Sequence, residues 1–197
     1  TFPKKNKKII LEFVSANPTG PVTLAAGRGG FYGDVLGNIL QIAGYQVHKE
    51  YYVNDTGNQI RTLGLSVRAS AGVIPDSEDY YHGKHIDEWA HEHKAEIQKR
   101  AREDPEKEGK QFARLMLKKY IIPSVGSRGM KIFFDKWFSE EKDLRAKKLV
   151  EKTRELLLQK GFTYKKEGAL WLKTSNYGDD KDRVLVTSKG LPTYFLV

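Results

Sequence analysis

The sequence predicts an α/β protein in which parallel strands alternate with helices and a helix-plus-hairpin segment follows the second strand–helix pair. Two runs predict the parallel sheet. Residues 9–14 (IILEFV) are apolar except for Glu12, and residues 47–53 (VHKEYYV) form a second strand-like run, with a helical pattern between them. That order predicts a right-handed βαβ unit. The third observation is a change of texture after Gly72, first to charged amphipathic helices and then, from Phe162, to short strands.

Residues 9–14 read as a buried strand. The turn-rich stretch SANPTGP follows, and glycines then open a helix with Phe31, Val35, Leu36, Ile39, Leu40 and Ala43 at helical spacing. Gly44 stands where a helix C-cap belongs. After the second strand, Asp55 is placed to cap a helix whose apolar face is Ile60, Leu63 and Val67. Residues 75–83 form a polar loop. Three helices are then predicted: one around Ile86, Trp89, Ala90, His93 and Ile97; one around Phe112, Leu115, Met116 and Tyr120, stopping before Pro123; and one around Leu149, Val150, Leu156 and Leu157, ending at Gly161. Residues 162–173 read as a hairpin turning at Glu167-Gly168, and residues 183–197 as another turning at Lys189-Gly190. The chain stops inside that last apolar run, which is the expected mark of truncation.

Composition narrows the function classes. The 197 residues carry a net charge of +9, spread along the chain rather than gathered in a tail. Such a charge suits a polyanionic partner and equally suits a plain basic surface. There is no cysteine, so disulfides and cysteine metal sites are excluded. No apolar run reaches the roughly 18 residues of a membrane span, and the basic N-terminus lacks a signal-peptide core. A soluble, cytoplasmic protein is the expectation.

A strand, a glycine-rich turn and a helix N-terminus make a general anion cradle. The glycines here (Gly20, Gly27, Gly29, Gly30, Gly33) fit neither the phosphate-loop pattern nor the dinucleotide fingerprint, since Gly27-x-Gly29-x-x-x-Gly33 is one residue too long. Spacing alone also allows a helix opened by small residues for tight packing. The literal strings are more specific. EFVSANPTGP, GRGG, AGYQVHKEYYVNDTGNQI, YHGKHI, FDKWFSE, EGALWLKTSNYGDDKDRVLV and PTYF occur in this order, and together the chain resembles the catalytic domain of arginyl-tRNA synthetases.

The resemblance implies the first half of a class I synthetase Rossmann-like sheet in residues 1–71, the connective insertion in 72–180 and return strands of the catalytic fold in 181–197. It implies ATP as a substrate accompanied by Mg²⁺, arginine, and tRNA(Arg) as partner. It also implies residue roles. Glu12, Ser15, Asn17 and Tyr194 correspond to arginine-binding positions. Pro18, Gly20, Thr23, Leu24, Ala25, Ala26, Gly27 and Gly29 correspond to the ATP-binding segment. An ionised Glu12 inside an apolar strand would also call for a cationic partner, which the substrate arginine would supply. Each role has a plainer reading: Glu12 as an edge carboxylate in solvent, Asn17 as a turn residue, Tyr194 as a core aromatic.

The sequence departs from the family at its hallmark. Where the family carries His-x-Gly-His, this chain reads Thr23-Leu24-Ala25-Ala26. Both histidines that would bind ATP phosphates are replaced, so weak or absent adenylate formation is expected. A non-catalytic ATP- or tRNA-binding module is the alternative reading. His82, His85, His91 and His93 have no metal-ligand spacing, and Asp179, Asp180 and Asp182 read as a solvated turn.

Overall fold

The computed structural model describes residues 2–197 and divides them into two compact units, the first ending at Glu141 and the second comprising Lys142–Val197. In the first unit, β1 (Lys8–Glu12), α1 (Leu24–Ile42), β2 (Gln46–Val53) and, much later in the chain, β3 (Lys136–Ser139) form a sheet in the order β1-β2-β3. Both pairings are parallel: Lys8 is opposite Gln46, and Glu50 is opposite Lys136. The predicted parallel βαβ unit is therefore present.

Its first strand differs from the expectation. It ends at Glu12 and alternates in exposure, with Ile10 70% exposed. Side chains of a strand alternate between two faces, and among the described residues only the face toward α1 is covered.

The helix α1 also packs differently from its apolar pattern. Phe31, Val35 and Ile39, expected on its inner face, are exposed, whereas Gly30, Gly33 and Gly37 are buried. The reason is distance. A Cβ on Gly33 would lie 2.3 Å from Cγ of Phe13, and one on Gly37 would lie 2.5 Å from Cε of Lys49. The helix backbone thus lies directly on side chains of β1, β2 and the loop after β1, and its large apolar residues point away.

Lys49 crosses this contact, almost buried, with Nζ 2.7 Å from Oδ1 of Asp34 and 3.0 Å from Oδ1 of Asn38. The helix closes at Ala43, and Gly44 follows with φ +92, the expected glycine stop.

Between β2 and β3 lies a helical layer: α2 (Asn58–Ser70), α3 (Lys84–Glu92), α4 (Lys94–Lys99), α5 (Glu106–Met116), a π-helical turn (Leu117–Ile121) and α6 (Ile122–Val125). Ile60, Leu63, Val67, Ile86, Ile97, Phe112 and Met116 form its core. This core joins residues on both sides of the boundary expected at 71/72. Buried Arg68 holds the layer together. It donates to the carbonyls of Arg100, Ala101 and Glu103 and pairs with the buried Glu108 carboxylate at 2.9 Å.

Three local expectations are corrected. Asp55 does not cap α2; its carboxylate accepts from Ser139 Oγ at 2.6 Å and from the Glu141 N–H at 2.9 Å, fastening the end of β3. The single helix expected around residues 86–97 breaks at His93 into α3 and α4. The helix expected to stop before Pro123 runs on. Its π-helical turn lets Pro123 fall in the first turn of α6, where a missing N–H costs nothing.

The second unit contains α7 (Leu149–Gln159), β4 (Thr163–Lys166), β5 (Ala169–Leu172) and β6 (Arg183–Val186), an antiparallel sheet in the order β4-β5-β6 around Val150, Leu170, Leu185 and Leu196. The first hairpin turns at Glu167 and Gly168, both with positive φ, as expected. Residues 183–197 form less of a hairpin than expected. Only Val186 and Pro192 bridge, and residues 194–196 are turns. These residues extend the sheet of the first hairpin. Asp179 and Asp182 serve the loop before β6: Asp179 forks onto Arg183 at 2.7 and 2.8 Å, and Asp182 accepts from the Ser175 N–H at 3.0 Å. The Arg183 guanidinium holds the Asp179 carboxyl far below the usual carboxylate range. Among the described residues no helix is long and apolar enough to cross a membrane.

The glycine contact gives a paired test. Gly33→Ala should destabilise the protein by about 1–3 kcal/mol, because the new methyl overlaps the Phe13 ring. Gly29→Ala, with nothing within 4 Å, should stabilise it by about 0.5–1 kcal/mol through helix propensity. Urea unfolding of both variants checks the sign and the order.

Candidate nucleotide-binding site

The loop between β1 and α1 carries unusual backbone geometry. Val14 and Ser15 both have positive φ, at 66° and 40°. For a β-branched valine this region is a genuine outlier, with a cost of order 1–3 kcal/mol. The surroundings impose it. Ser15 Oγ accepts the Tyr52 N–H at 3.0 Å and donates to the Glu12 carboxylate. The Tyr51 hydroxyl donates to the Ala16 carbonyl at 2.8 Å. The Phe13 ring lies 4.7 Å from that of Phe134. Tyr51 is 0% exposed, and burial pushes its phenol well above the usual tyrosine range, so it stays a donor.

Beyond this bend the chain passes the buried Pro18 and reaches Thr23, the N-cap of α1, whose Oγ1 accepts the Ala26 N–H at 3.3 Å. The Thr23 hydroxyl proton remains available to a ligand, as do the first N–H groups of the helix, those of Leu24 and Ala25. The first turn carries no acidic residue, so the positive end of a 19-residue helix is not neutralised. In front of it lies an open groove of about 720 Å³, lined by Val22, Thr23, Leu24, Gly27, Arg28, Phe31, Ser124 and Met130.

The structure thus brings most of the expected site residues onto one loop and helix start. Glu12 and Asn17 are exposed, while Ser15 is half-buried and bonded as described. Thr23, Leu24 and Gly27 line the groove, Ala25 and Ala26 sit in the same first turn, and Gly29 lies on the open side of α1. Gly20 lies against the His85 ring. Tyr194 belongs to the second unit, on the exposed turn after β6. Contrary to the expectation from its apolar strand, the Glu12 carboxylate is exposed and accepts from Ser15, so burial does not call for a cation there.

Sequence reading missed Arg28, Phe31, Tyr51 and His85. Residues 24, 28 and 31 recur at helical spacing, so Arg28 was findable as a groove residue once Leu24 was placed. Ser124 and Met130 arrive from the far end of the helical layer, and no local signal announces them.

A parallel strand whose carboxyl end feeds a tight loop and an open helix N-terminus is an arrangement that in α/β folds can receive a phosphate. No family model matches the chain. Curated relatives do. It is 40% identical over 204 residues to an arginine–tRNA ligase of Syntrophotalea carbinolica, covering 99% of this chain and 36% of that protein. It is 42% identical over 198 residues to that of Carboxydothermus hydrogenoformans, covering 96% of this chain and 35% of that protein.

Among solved structures, a Campylobacter jejuni protein assigned as an arginyl-tRNA synthetase superposes with TM-score 0.81 at 34% identity, over 100% of this chain and 44% of that one. The Thermus thermophilus arginyl-tRNA synthetase, at 22% identity, shares the fold with TM-score 0.69 over 99% of this chain and 35% of that one. The chain spans about a third of the length of these curated relatives, and over that region it is similar to arginine–tRNA ligases.

Tyr51 and Ser15 hold the bend through hydrogen bonds whose loss leaves different groups behind. Tyr51→Phe should cost about 0.5–1.5 kcal/mol, because only a carbonyl loses its partner. Ser15→Ala should cost more, about 1–3 kcal/mol, because it removes both the acceptor of the Tyr52 N–H and the donor to the Glu12 carboxylate. Chemical denaturation of the two variants measures the difference.

Proposed function

We propose that the loop after β1 and the first turn of α1 bind ATP, with arginine beside it, in the amino-acid activation step of an arginine–tRNA ligase. The observation that carries this reading is the unneutralised start of α1, facing an open groove and preceded by a bend held at Val14 and Ser15, in a region homologous to arginine–tRNA ligases.

In that reaction the arginine carboxylate attacks the α-phosphorus of ATP, pyrophosphate leaves, and the arginyl-adenylate passes its acyl group to the terminal ribose of tRNA(Arg). This chain's part is positioning and charge stabilisation. The N–H groups of Leu24 and Ala25, the Thr23 hydroxyl and the Arg28 guanidinium face phosphate oxygens. Glu12 and Asn17, at the mouth of the bend, hold the cationic and polar groups of arginine. Tyr194 enters this reading by resemblance alone.

Mg²⁺ accompanies ATP in this chemistry. Among the described residues no group of three or more His, Asp or Glu could hold a metal ion. In phosphate chemistry of this kind Mg²⁺ is bound largely through the substrate phosphates and water.

One observation favours a second reading. Where the family has two histidines, Thr23 and Ala26 leave a single hydroxyl. Loss of one charge-stabilising donor costs roughly 3–4 kcal/mol in the transition state. A nucleotide-binding module without activation chemistry would look the same at this turn.

Calorimetry on the chain with ATP, with arginine and with both separates these readings. The ligase reading expects ATP binding, arginine binding that Glu12→Gln weakens at least tenfold, and tighter arginine binding in the presence of ATP. ATP binding with no arginine response would favour the second reading, and no ATP binding would contradict both. In a chain extended to the length of its relatives, a Thr23→His, Ala25→Gly, Ala26→His variant should raise arginine-dependent ATP–pyrophosphate exchange at least a hundredfold.

A further inference from the structure

The turn at Pro18 and Thr19 is gripped from outside its own sheet. His85, in the first turn of α3, places Nε2 3.2 Å from the Thr19 carbonyl oxygen. A carbonyl only accepts, so Nε2 carries the hydrogen; the Nε2–H tautomer and the imidazolium both satisfy this bond. Two glycines make room for the ring. A Cβ on Gly83 would stand 2.7 Å from Cε1 of His85, and one on Gly20 would stand 3.2 Å from Nε2. On its inner side the ring stacks on buried Phe112, with centroids 6.0 Å apart and planes 29° apart. Phe112 belongs to the core of α2, α3 and α5. The His85 imidazole thus joins the Thr19 carbonyl to the core of the helical layer.

We propose that His85 is a positioning residue for the nucleotide site: it fixes the Thr19 carbonyl and the backbone at Gly20, and through them the approach to Thr23 and the start of α1. This inference rests on the nucleotide reading of that turn. His85 touches no substrate; it acts through the backbone it holds. Its ring contact with Phe112 ties that hold on the turn to the packing of α3 on α5.

The test uses the full chain as wild type, His85→Ala and His85→Gln, because the Gln side-chain N–H₂ reaches the position of Nε2. Backbone NMR order parameters at Thr19 and Gly20 should fall from about 0.85 to below about 0.6 in His85→Ala and return in His85→Gln. ATP affinity by calorimetry should weaken about three- to tenfold in His85→Ala and recover in His85→Gln, as expected for one hydrogen bond. Ring ¹⁵N shifts of the wild type should place the proton of the neutral ring on Nε2.

Unchanged order in His85→Ala, a Gln variant as loose as the Ala variant, or a neutral ring protonated on Nδ1 would overturn the proposal. If His85→Ala fails to fold, the Gln variant and the ring shifts still decide it. If the wild type binds no ATP, the nucleotide reading fails by itself, and the order parameters still report whether His85 holds the turn.

Discussion

Everything at the candidate site follows from how closely α1 lies on the sheet. Gly33 and Gly37 leave no space for a Cβ against Phe13 and Lys49. With the helix this near, the loop from Glu12 to Thr23 must bend sharply within a few residues. It does so through left-handed backbone at Val14 and Ser15, stabilised by Tyr51, Tyr52 and Glu12. The open end of α1 is thereby brought to the carboxyl end of β1, where a ligand phosphate can meet free N–H groups. Any larger residue at these glycines would push the helix out and relax the bend.

Two buried cations fasten this arrangement from either side. Lys49 links β2 to Asp34 and Asn38 on α1. Arg68 gathers three carbonyls and the Glu108 carboxylate inside the helical layer. Such groups add little net stability relative to apolar replacements, but removing one partner leaves an uncompensated buried charge. They act mainly as registers. Arg68 sets how α2 sits against the α4–α5 connection, and that packing in turn places Phe112 and His85.

Much of the architecture was legible in the sequence. The period of residues 47–53, the glycine stop at Gly44 and the Glu167-Gly168 turn each have a local cause, and each appears as expected. The misreadings are non-local. The stripe Phe31, Val35 and Ile39 looked like an inward face, because apolar periodicity cannot tell a helix that buries side chains from one that buries glycines. Asp55 had the chemistry of a cap but found donors on Ser139 and Glu141, more than eighty residues away. Pro123 looked like a stop until the π-helical turn shifted its position. Glu12, Asn17 and Thr23 lie in the literal strings of the β1–α1 segment, whereas Ser124 and Met130 come to the groove only through the fold.

The account's central claim is that the start of α1 and the loop before it receive ATP. The most direct measurement is a ¹⁵N-labelled titration of the chain with ATP. It predicts shifts concentrated at Gly20 and at Thr23 through Arg28, saturating together, with the helical core around Leu63 and Met116 unmoved. An unchanged spectrum, or shifts confined to the second unit, would contradict it.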